Sequence, residues 1–135
     1  AMYEEKGKFY LFVKSSPNPD NLLLLVSDHV NGKFERVEGF DDSMGAQTKG
    51  MYEAPTAVKL ADGRWCLFAD FYGAGCAGQG YVPFVSDDLT KGVFTRADEA
   101  FHFPYGFKHG TILPITEEEY ERMLARDWTD VPDLR

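Results

Sequence analysis

The sequence is poor in the residues that form disulfide frameworks and metal sites. Its 135 residues include only two cysteines, Cys66 and Cys76, and three histidines. Two cysteines cannot build the multi-bridge framework of a small secreted domain, and they do not make a zinc site either. We therefore predict two free thiols and a protein without a transition-metal site.

Long apolar runs are also missing. Residues 22–26 form an apolar stretch that is far shorter than the roughly 20 residues of a membrane-spanning helix. The N-terminus shows no signal-peptide pattern, and Ala1 before Met2 is typical of the remnant of an expression tag. We expect no membrane partner, and the cytoplasm is the default location.

Cationic residues are scarce relative to acidic ones. The chain has 14 Lys and Arg residues against 22 Asp and Glu residues, which gives a net charge of −8 at pH 7. A protein with this charge repels the phosphates of nucleic acids and of anionic lipid surfaces. The composition argues against a nucleic-acid partner and favours a neutral or cationic ligand, such as a sugar.

Aromatic residues, by contrast, are abundant. They make up 15% of the chain, and hydrophobic residues make up 44%. Aromatic side chains suit the half-buried faces of pleated sheets, and 135 residues are enough for one domain with a hydrophobic core. The composition therefore predicts a single folded domain that is rich in β-sheet.

Three blocks of sequence recur in the same order. Residues 7–12, 26–29 and 32–36 resemble residues 63–68, 85–88 and 92–96, at offsets of 56, 59 and 60 residues. Repeats of this length with three or four short strands each are typical of propeller blades. We predict an all-β fold of two antiparallel blades, a partial β-propeller, plus one short C-terminal helix. A β-sandwich of the lectin type is the alternative, although its strands do not repeat in such units.

These blocks divide the domain into three parts. Residues 2–49 form a first, incomplete blade, whose innermost strand is cut short or absent and which ends in a long polar loop from residue 38 onward. Residues 50–100 form the second blade. Residues 101–135 form an aromatic loop, a closing strand at 112–115 and the C-terminal helix.

The helix is predicted from residue 117 to about residue 126. Thr116 and Glu119 have the spacing of a capping box, in which each side chain bonds the other residue's backbone N–H. Tyr120, Met123 and Leu124 are spaced to form one apolar face. We expect a helix on the surface at the end of an otherwise all-β chain.

A lone carboxylate at the entrance of the second blade is the main candidate for chemistry. Glu53 lies between Tyr52 and the pair Ala54-Pro55, and Pro55 belongs at a strand start or on an edge strand because it donates no ladder hydrogen bond. Glu53 is thus held near the rim of a sheet, in a place that suits a carboxylic acid with a raised pKa. A plain solvated carboxylate is the alternative.

Several of these segments together resemble the C-terminal part of a family 43 glycoside hydrolase, a five-bladed propeller family of arabinanases, arabinofuranosidases and xylosidases. The chain would span about two of the five blades. The resemblance lies in Tyr-Glu-Ala-Pro-Thr at 52–56, Gly-Arg-Trp-Cys-Leu-Phe at 63–68, Val-Ser-Asp-Asp-Leu-Thr at 85–90 and Lys-His-Gly-Thr-Ile-Leu-Pro-Ile-Thr-Glu-Glu-Glu-Tyr at 108–120.

The resemblance implies roles for individual residues. Glu53 corresponds to the family's general acid. His109 corresponds to a histidine of the central channel, often near a bound calcium ion or water, although a structural hydrogen bond to backbone is an equal alternative. Lys14 ends a strand that nears the axis in the family pattern, where it either approaches the site or is solvated.

We also expect Tyr72 and Tyr105, which lie in Gly-flanked loops, to bind the sugar together with His109. Aromatic residues at blade junctions often belong to the core, which is the alternative for both tyrosines. The implied substrates are glycans that contain arabinose or xylose. No resident cofactor is implied, apart from calcium near His109.

The family's general base and the aspartate that tunes the acid have no counterpart here, because both would precede Met2. Inverting hydrolysis needs two carboxyl groups roughly 6.5–9.5 Å apart. The isolated chain is therefore expected to be inactive. Two blades also cannot close a ring, and open edges invite pairing with another chain. We expect a homodimer or higher oligomer, or a separate N-terminal half as partner; a non-catalytic sugar-binding or self-assembling half-propeller module is the alternative.

Overall fold

A computed structural model describes residues 1–47, 50–72, 80–101, 103 and 106–126 of the chain. These residues form two four-stranded antiparallel sheets, each with its strands in sequence order. The first sheet contains β1 (Met2–Glu5), β2 (Lys8–Lys14), β3 (Leu22–Ser27) and β4 (Glu35–Arg36). The second contains β5 (Met51–Lys59), β6 (Trp65–Tyr72), β7 (Gly80–Ser86) and β8 (Thr95–Arg96). The helices are α1 (Glu38–Gln47) and α2 (Glu117–Ala125).

The two sheets correspond to the repeated blocks of sequence. The first repeated block leads into β2 and β6, and the later blocks lie at β3 and β7 and around β4 and β8. The mainly β fold with two antiparallel four-stranded units and a C-terminal helix is thus confirmed. The innermost strand of the first sheet is short but present: β1 has 4 residues against the 9 of β5, and it pairs fully with β2.

One hydrophobic core lies between the two sheets. Alternation along β2 turns Tyr10 and Phe12 inward, and both are 1% exposed. They join buried side chains of the second sheet such as Leu67 and Phe84 in a single cluster. Along β3, residues 22–25 alternate between buried and partly exposed side chains, and only Leu22, Leu24 and Ser27 of this strand are buried.

The polar stretch after the first sheet is a helix rather than the predicted loop. In α1, Phe40 and Met44 are spaced by one helical turn, and both side chains are completely buried. The ring of Phe40 packs edge-to-face against Phe12 at 5.9 Å and Phe94 at 5.5 Å between centroids. The prediction failed because glycine and short polar residues give this segment low helix propensity, whereas burial of its apolar face stabilises it.

Side-chain bonds attach α1 to the second sheet. Ser43 Oγ donates to Gly92 O at 3.1 Å and accepts from Phe94 N at 3.2 Å, while Gln47 Oε1 accepts from Arg96 N at 2.8 Å. The helix begins after the first sheet and bonds to the end of the second. It therefore closes one side of the shared core.

The closing strand predicted at residues 112–115 does not form. Residues 111–116 are outside any strand, and Ile112 instead packs with Phe101 and Phe103 over the outer face of the second sheet. The buried residues beneath them are Cys66, Phe68 and Tyr81. Burial raises the pKa of the Cys66 thiol to about 12, so this free cysteine is inert at neutral pH. Cys76 lies outside the described residues.

Helix α2 has the predicted caps but not a buried face. Glu119 N donates to Thr116 Oγ1 at 3.2 Å, and Thr116 N donates to Glu119 Oε2 at 2.7 Å, which completes the capping box. Tyr120, Met123 and Leu124 are 48%, 50% and 67% exposed. Among the described residues, no helix is long and apolar enough to cross a membrane.

Replacement of Phe40 by alanine tests whether α1 is part of the core. We expect Phe40→Ala to lower the free energy of unfolding by about 3–5 kcal/mol, because it removes a fully buried ring. Asp42→Ala, on the exposed side of the same helix, should change it by less than about 0.5 kcal/mol. Urea denaturation of both variants measures the difference. Equally small losses would mean that residues 38–47 do not pack as described.

A pair of glycine variants tests the close approach of α1 to the turn before β8. Gly92 and Gly63 both have left-handed backbone, with φ of 65° and 88°. A Cβ at Gly92 would lie 2.7 Å from Phe40 N, whereas one at Gly63 would meet nothing within 4 Å. We expect Gly63→Ala to cost about 1–2 kcal/mol and Gly92→Ala clearly more. Equal losses in urea denaturation would contradict this contact.

Candidate active site

A bulge in β5 gives Glu53 its position. The pairing of β5 with β6 shifts register between Glu53 and Thr56, and Ala54 within the bulge has φ of 45°. This left-handed conformation is unfavourable for a residue with a Cβ, and such strain is often found at functional sites. Because β5 is the terminal strand of its sheet, Pro55 lies on an edge strand as predicted.

The residue opposite Glu53 is a second carboxyl group that the sequence analysis did not single out. Glu53 of β5 pairs directly with Asp70 of β6, so the two side chains leave the same face of the sheet. Their environments differ, since the Asp70 side chain is 2% exposed and that of Glu53 is 26% exposed. The signal in the sequence was an acidic residue inside the apolar and aromatic run of β6, where a buried carboxyl group requires a specific partner.

His109 is that partner, and it lies between the two carboxyl groups. Its backbone N donates to Asp70 Oδ2 at 2.8 Å, and its ring Nδ1 lies 2.6 Å from the same oxygen. Its Nε2 lies 3.7 Å from Glu53 Oε1. The residue has φ of 54° and a side chain that is 54% exposed. The Nδ1 side of the ring is thus held by Asp70, and the Nε2 side faces Glu53 without a close contact.

Lys14 reaches Glu53 from the other sheet. It ends β2 on the face that carries Tyr10 and Phe12, which is the face turned toward the second sheet. Its Nζ lies 2.7 Å from Glu53 Oε2 and 4.5 Å from the centroid of the Tyr72 ring. Of the two alternatives for Lys14, approach to the site or solvation, the structure therefore has the first.

The row of polar groups continues through Tyr72 to the turn before β3. The Tyr72 hydroxyl accepts a hydrogen bond from Asn21 Nδ2 at 2.8 Å, and one face of its ring is covered by the Lys14 ammonium. A sugar that stacks on Tyr72 has to use the opposite face of the ring or displace Lys14. Tyr105, the other tyrosine expected here, lies outside the described residues.

The environments push the pKa values of the two carboxyl groups apart. The hydrogen bond from Lys14 lowers the pKa of Glu53, and the charges of His109 and Lys108 act in the same direction. Burial raises the pKa of Asp70, although the His109 backbone N–H partly offsets this. The raised pKa that the sequence suggested for Glu53 is thus not present while Lys14 is bound to it. Asp70 has the raised value instead.

The described residues next to His109 do not form a calcium site. Calcium takes six to eight oxygen ligands, and the two carboxyl groups near His109 contact its ring. Across the part of the chain that the structure describes, no group of three or more His, Cys, Asp or Glu side chains is arranged to hold a metal ion. The calcium site that the resemblance implied is therefore not supported.

Removal of Lys14 tests the cause of the lowered pKa of Glu53. In Lys14→Met we expect the pKa of Glu53 to rise, because its strongest hydrogen-bond donor is lost. A carbon-detected NMR titration of the Glu53 carboxyl group measures this directly. Lys59→Met, which removes a similar ion pair with Glu5 at 2.8 Å, should leave the Glu53 titration unchanged.

The same variant has a defined effect on the pH dependence of stability. A lowered folded-state pKa means that Glu53 stabilises the fold above its ordinary pKa of 4.5 and loses this contribution as the pH falls below it. The difference in stability between wild type and Lys14→Met should therefore be larger at pH 7 than at pH 3. A difference that grows toward low pH would contradict the ion pair as described.

The comparison with known families gives a match that covers most of the chain. The model of a family described as a probable glycosyl hydrolase domain matches residues 1–121, which include both sheets and Lys14, Glu53, Asp70 and His109. Curated proteins and solved structures give no significant match. Because the match covers most of the 135 residues, the resemblance is confirmed: the chain belongs to this probable glycosyl hydrolase domain family, which is related to glycoside hydrolase family 43.

Proposed function

We propose that the chain is a glycoside hydrolase domain in which Glu53 is the reacting carboxyl group. The observation that supports this most directly is the setting of its two oxygens. Oε2 is bound by Lys14 from one sheet, and Oε1 faces His109, whose side chain is half exposed. A partly exposed carboxyl group that is oriented from two sides, on a strained strand, is suited to act on a bound ligand.

The proposed role is that of a general acid. Glu53 would donate its proton to the glycosidic oxygen as the bond between that oxygen and the sugar carbon breaks. A base would take a proton from the water that forms the new bond on the opposite face. As an ion pair with Lys14, Glu53 is ionised at neutral pH and has no proton to give. A sugar hydroxyl that accepts the Lys14 hydrogen bond would raise the pKa of Glu53 by removing its donor. The same sugar would raise it further by excluding water from the carboxyl group.

The required base is not evident beside Glu53. Asp70 is its nearest described acidic neighbour along the β5–β6 pairing, but its side chain is 2% exposed and faces His109. It therefore cannot activate a water molecule on the far side of a sugar. We propose that this chain alone does not hydrolyse glycosides, and that a second carboxyl group has to come from another polypeptide.

The proposed ligands are glycans that contain arabinose or xylose, and this proposal depends on the family relationship rather than on the geometry. Neutral sugars are compatible with the net charge of −8. The face of the Tyr72 ring opposite Lys14 is a candidate surface for stacking, and Tyr105 stays a candidate for another. The self-association expected of two open sheets also stays a proposal.

A sugar-binding module without catalysis is the second candidate. It is favoured by the ionised state of Glu53 together with the burial of Asp70. In such a module, Lys14 and Glu53 would serve as hydrogen-bond donor and acceptor for sugar hydroxyls. Binding would then persist in Glu53→Gln, since an amide still bonds to hydroxyl groups.

Hydrolysis and binding measured on the same material separate these functions. We expect wild type to release no more aryl alcohol from aryl arabinosides and xylosides than Glu53→Gln does. We also expect arabino- or xylo-oligosaccharides to shift the NMR signals of Lys14, Tyr72 and His109. Glu5→Gln, which changes an acidic residue paired with Lys59 elsewhere, serves as the matched control for Glu53→Gln.

Each outcome has a distinct meaning. Turnover that Glu53→Gln abolishes and Glu5→Gln retains would support Glu53 but contradict the inactivity of the isolated chain. Binding that survives Glu53→Gln unchanged would favour the non-catalytic module. Oligosaccharides that shift none of these signals would argue against a sugar site at this end of the sheets.

A further inference from the structure

We propose that Asp70 is a positioning residue that acts on Glu53 through His109. The inference builds on the proposed function, because it concerns the same carboxyl group, but it is argued from contacts that involve no sugar. Asp70 itself is too deeply buried to touch a ligand. Its effect on any chemistry at Glu53 therefore has to pass through another side chain.

The bonding of Asp70 is directed at a single residue. Its Oδ2 accepts the backbone N–H of His109 and also contacts the Nδ1 of the same residue. Its Oδ1 is buried and has no hydrogen-bond partner among the described residues. A carboxyl group in an apolar strand is costly to bury, and the pair of contacts to His109 offsets part of this cost.

Two-point attachment determines how the His109 ring is oriented. The residue has left-handed backbone, with φ of 54°, which is uncommon for a residue with a Cβ. The bond to its N–H holds the backbone, and the contact to Nδ1 holds the ring. An ionised carboxylate only accepts hydrogen bonds, so Nδ1 is assigned as the ring nitrogen that donates to Oδ2.

The orientation of the ring decides what Glu53 faces. With Nδ1 turned toward Asp70, the opposite nitrogen Nε2 lies 3.7 Å from Glu53 Oε1. Lys14 occupies the other carboxylate oxygen at 2.7 Å. The Glu53 side chain thus lies between a lysine from the first sheet and a histidine whose angle Asp70 sets.

A merely structural role for Asp70, as an anchor for the segment around His109, is distinguishable from positioning. That segment has other anchors, since Tyr81 Oη donates to Gly110 O at 2.5 Å and Tyr81 N donates to Phe107 O at 3.2 Å. These bonds hold the chain on either side of His109 without touching its ring. The specific contribution of Asp70 is the contact with Nδ1.

The test is an NMR double-mutant cycle on the full chain. The Glu53 carboxyl titration is recorded in wild type, Asp70→Asn, His109→Gln and the double variant, and the imidazole nitrogen shifts of His109 are recorded wherever the ring is present. The direct effect of the Asp70 charge on the Glu53 pKa is present both with His109 and with the His109→Gln substitution. An effect that Asp70 exerts by orienting the His109 ring is present only with His109, so the cycle separates the two effects.

We expect Asp70→Asn to change the ionisation constant of Glu53 about twofold more with His109 present than with Gln at that position. The same variant should change the nitrogen shifts of His109. In wild type, Nδ1 should carry hydrogen in both charge states of the ring. Tyr81→Phe, which removes an anchor of the segment, should lower thermal stability and leave the nitrogen shifts unchanged.

Two results would overturn the inference. One is an equal change in the Glu53 titration in both backgrounds, and the other is a wild-type ring whose Nδ1 lacks hydrogen when neutral. The second measurement needs no variant, so it stands even where Asp70→Asn fails to fold. None of these readouts involves sugar. Failure of oligosaccharide binding would therefore refute the proposed function and leave the positioning role standing.

Discussion

The packing of the first sheet against the second is the constraint on which the rest of the structure depends. Tyr10 and Phe12 of β2 are buried against residues of the second sheet, and this fixes which face of β2 turns inward. Lys14 lies two residues beyond Phe12 on the same face, so it reaches Glu53 at 2.7 Å. A shift of β2 by one residue would turn Lys14 away, and the site would lose its contact between the sheets.

The site illustrates how two paired carboxyl groups acquire different properties. Glu53 and Asp70 are neighbours across β5 and β6, yet one is partly exposed and bound to a lysine, whereas the other is buried against a histidine. The first environment favours the ionised form and the second favours the protonated form.

The pKa values of the two carboxyl groups do not match the role of general acid that the sequence assigned to Glu53. A general acid needs a proton at working pH, and the residue in the acid position is the one with the lowered pKa. The main cause is the hydrogen bond from Lys14, whose side chain is 42% exposed and whose ammonium lies over the Tyr72 ring. A ligand that accepts the Lys14 hydrogen bond would remove this lowering of the Glu53 pKa. The protonation state of Glu53 would then depend on whether a ligand is bound.

By itself, the sequence determined the features that depend on local pattern: the repeated strands, the capping box at Thr116, and Glu53 beside the edge-strand Pro55. Helix α1 and the orientation of the site were decided only by the tertiary structure. Low helix propensity indicated a loop at residues 38–47, and burial of Phe40 between the sheets overrode it. Likewise, the sequence shows Asp70 only as an acidic residue within an apolar strand, without its partners. It becomes part of the site because antiparallel pairing places it opposite Glu53 and His109 arrives from 39 residues away along the chain.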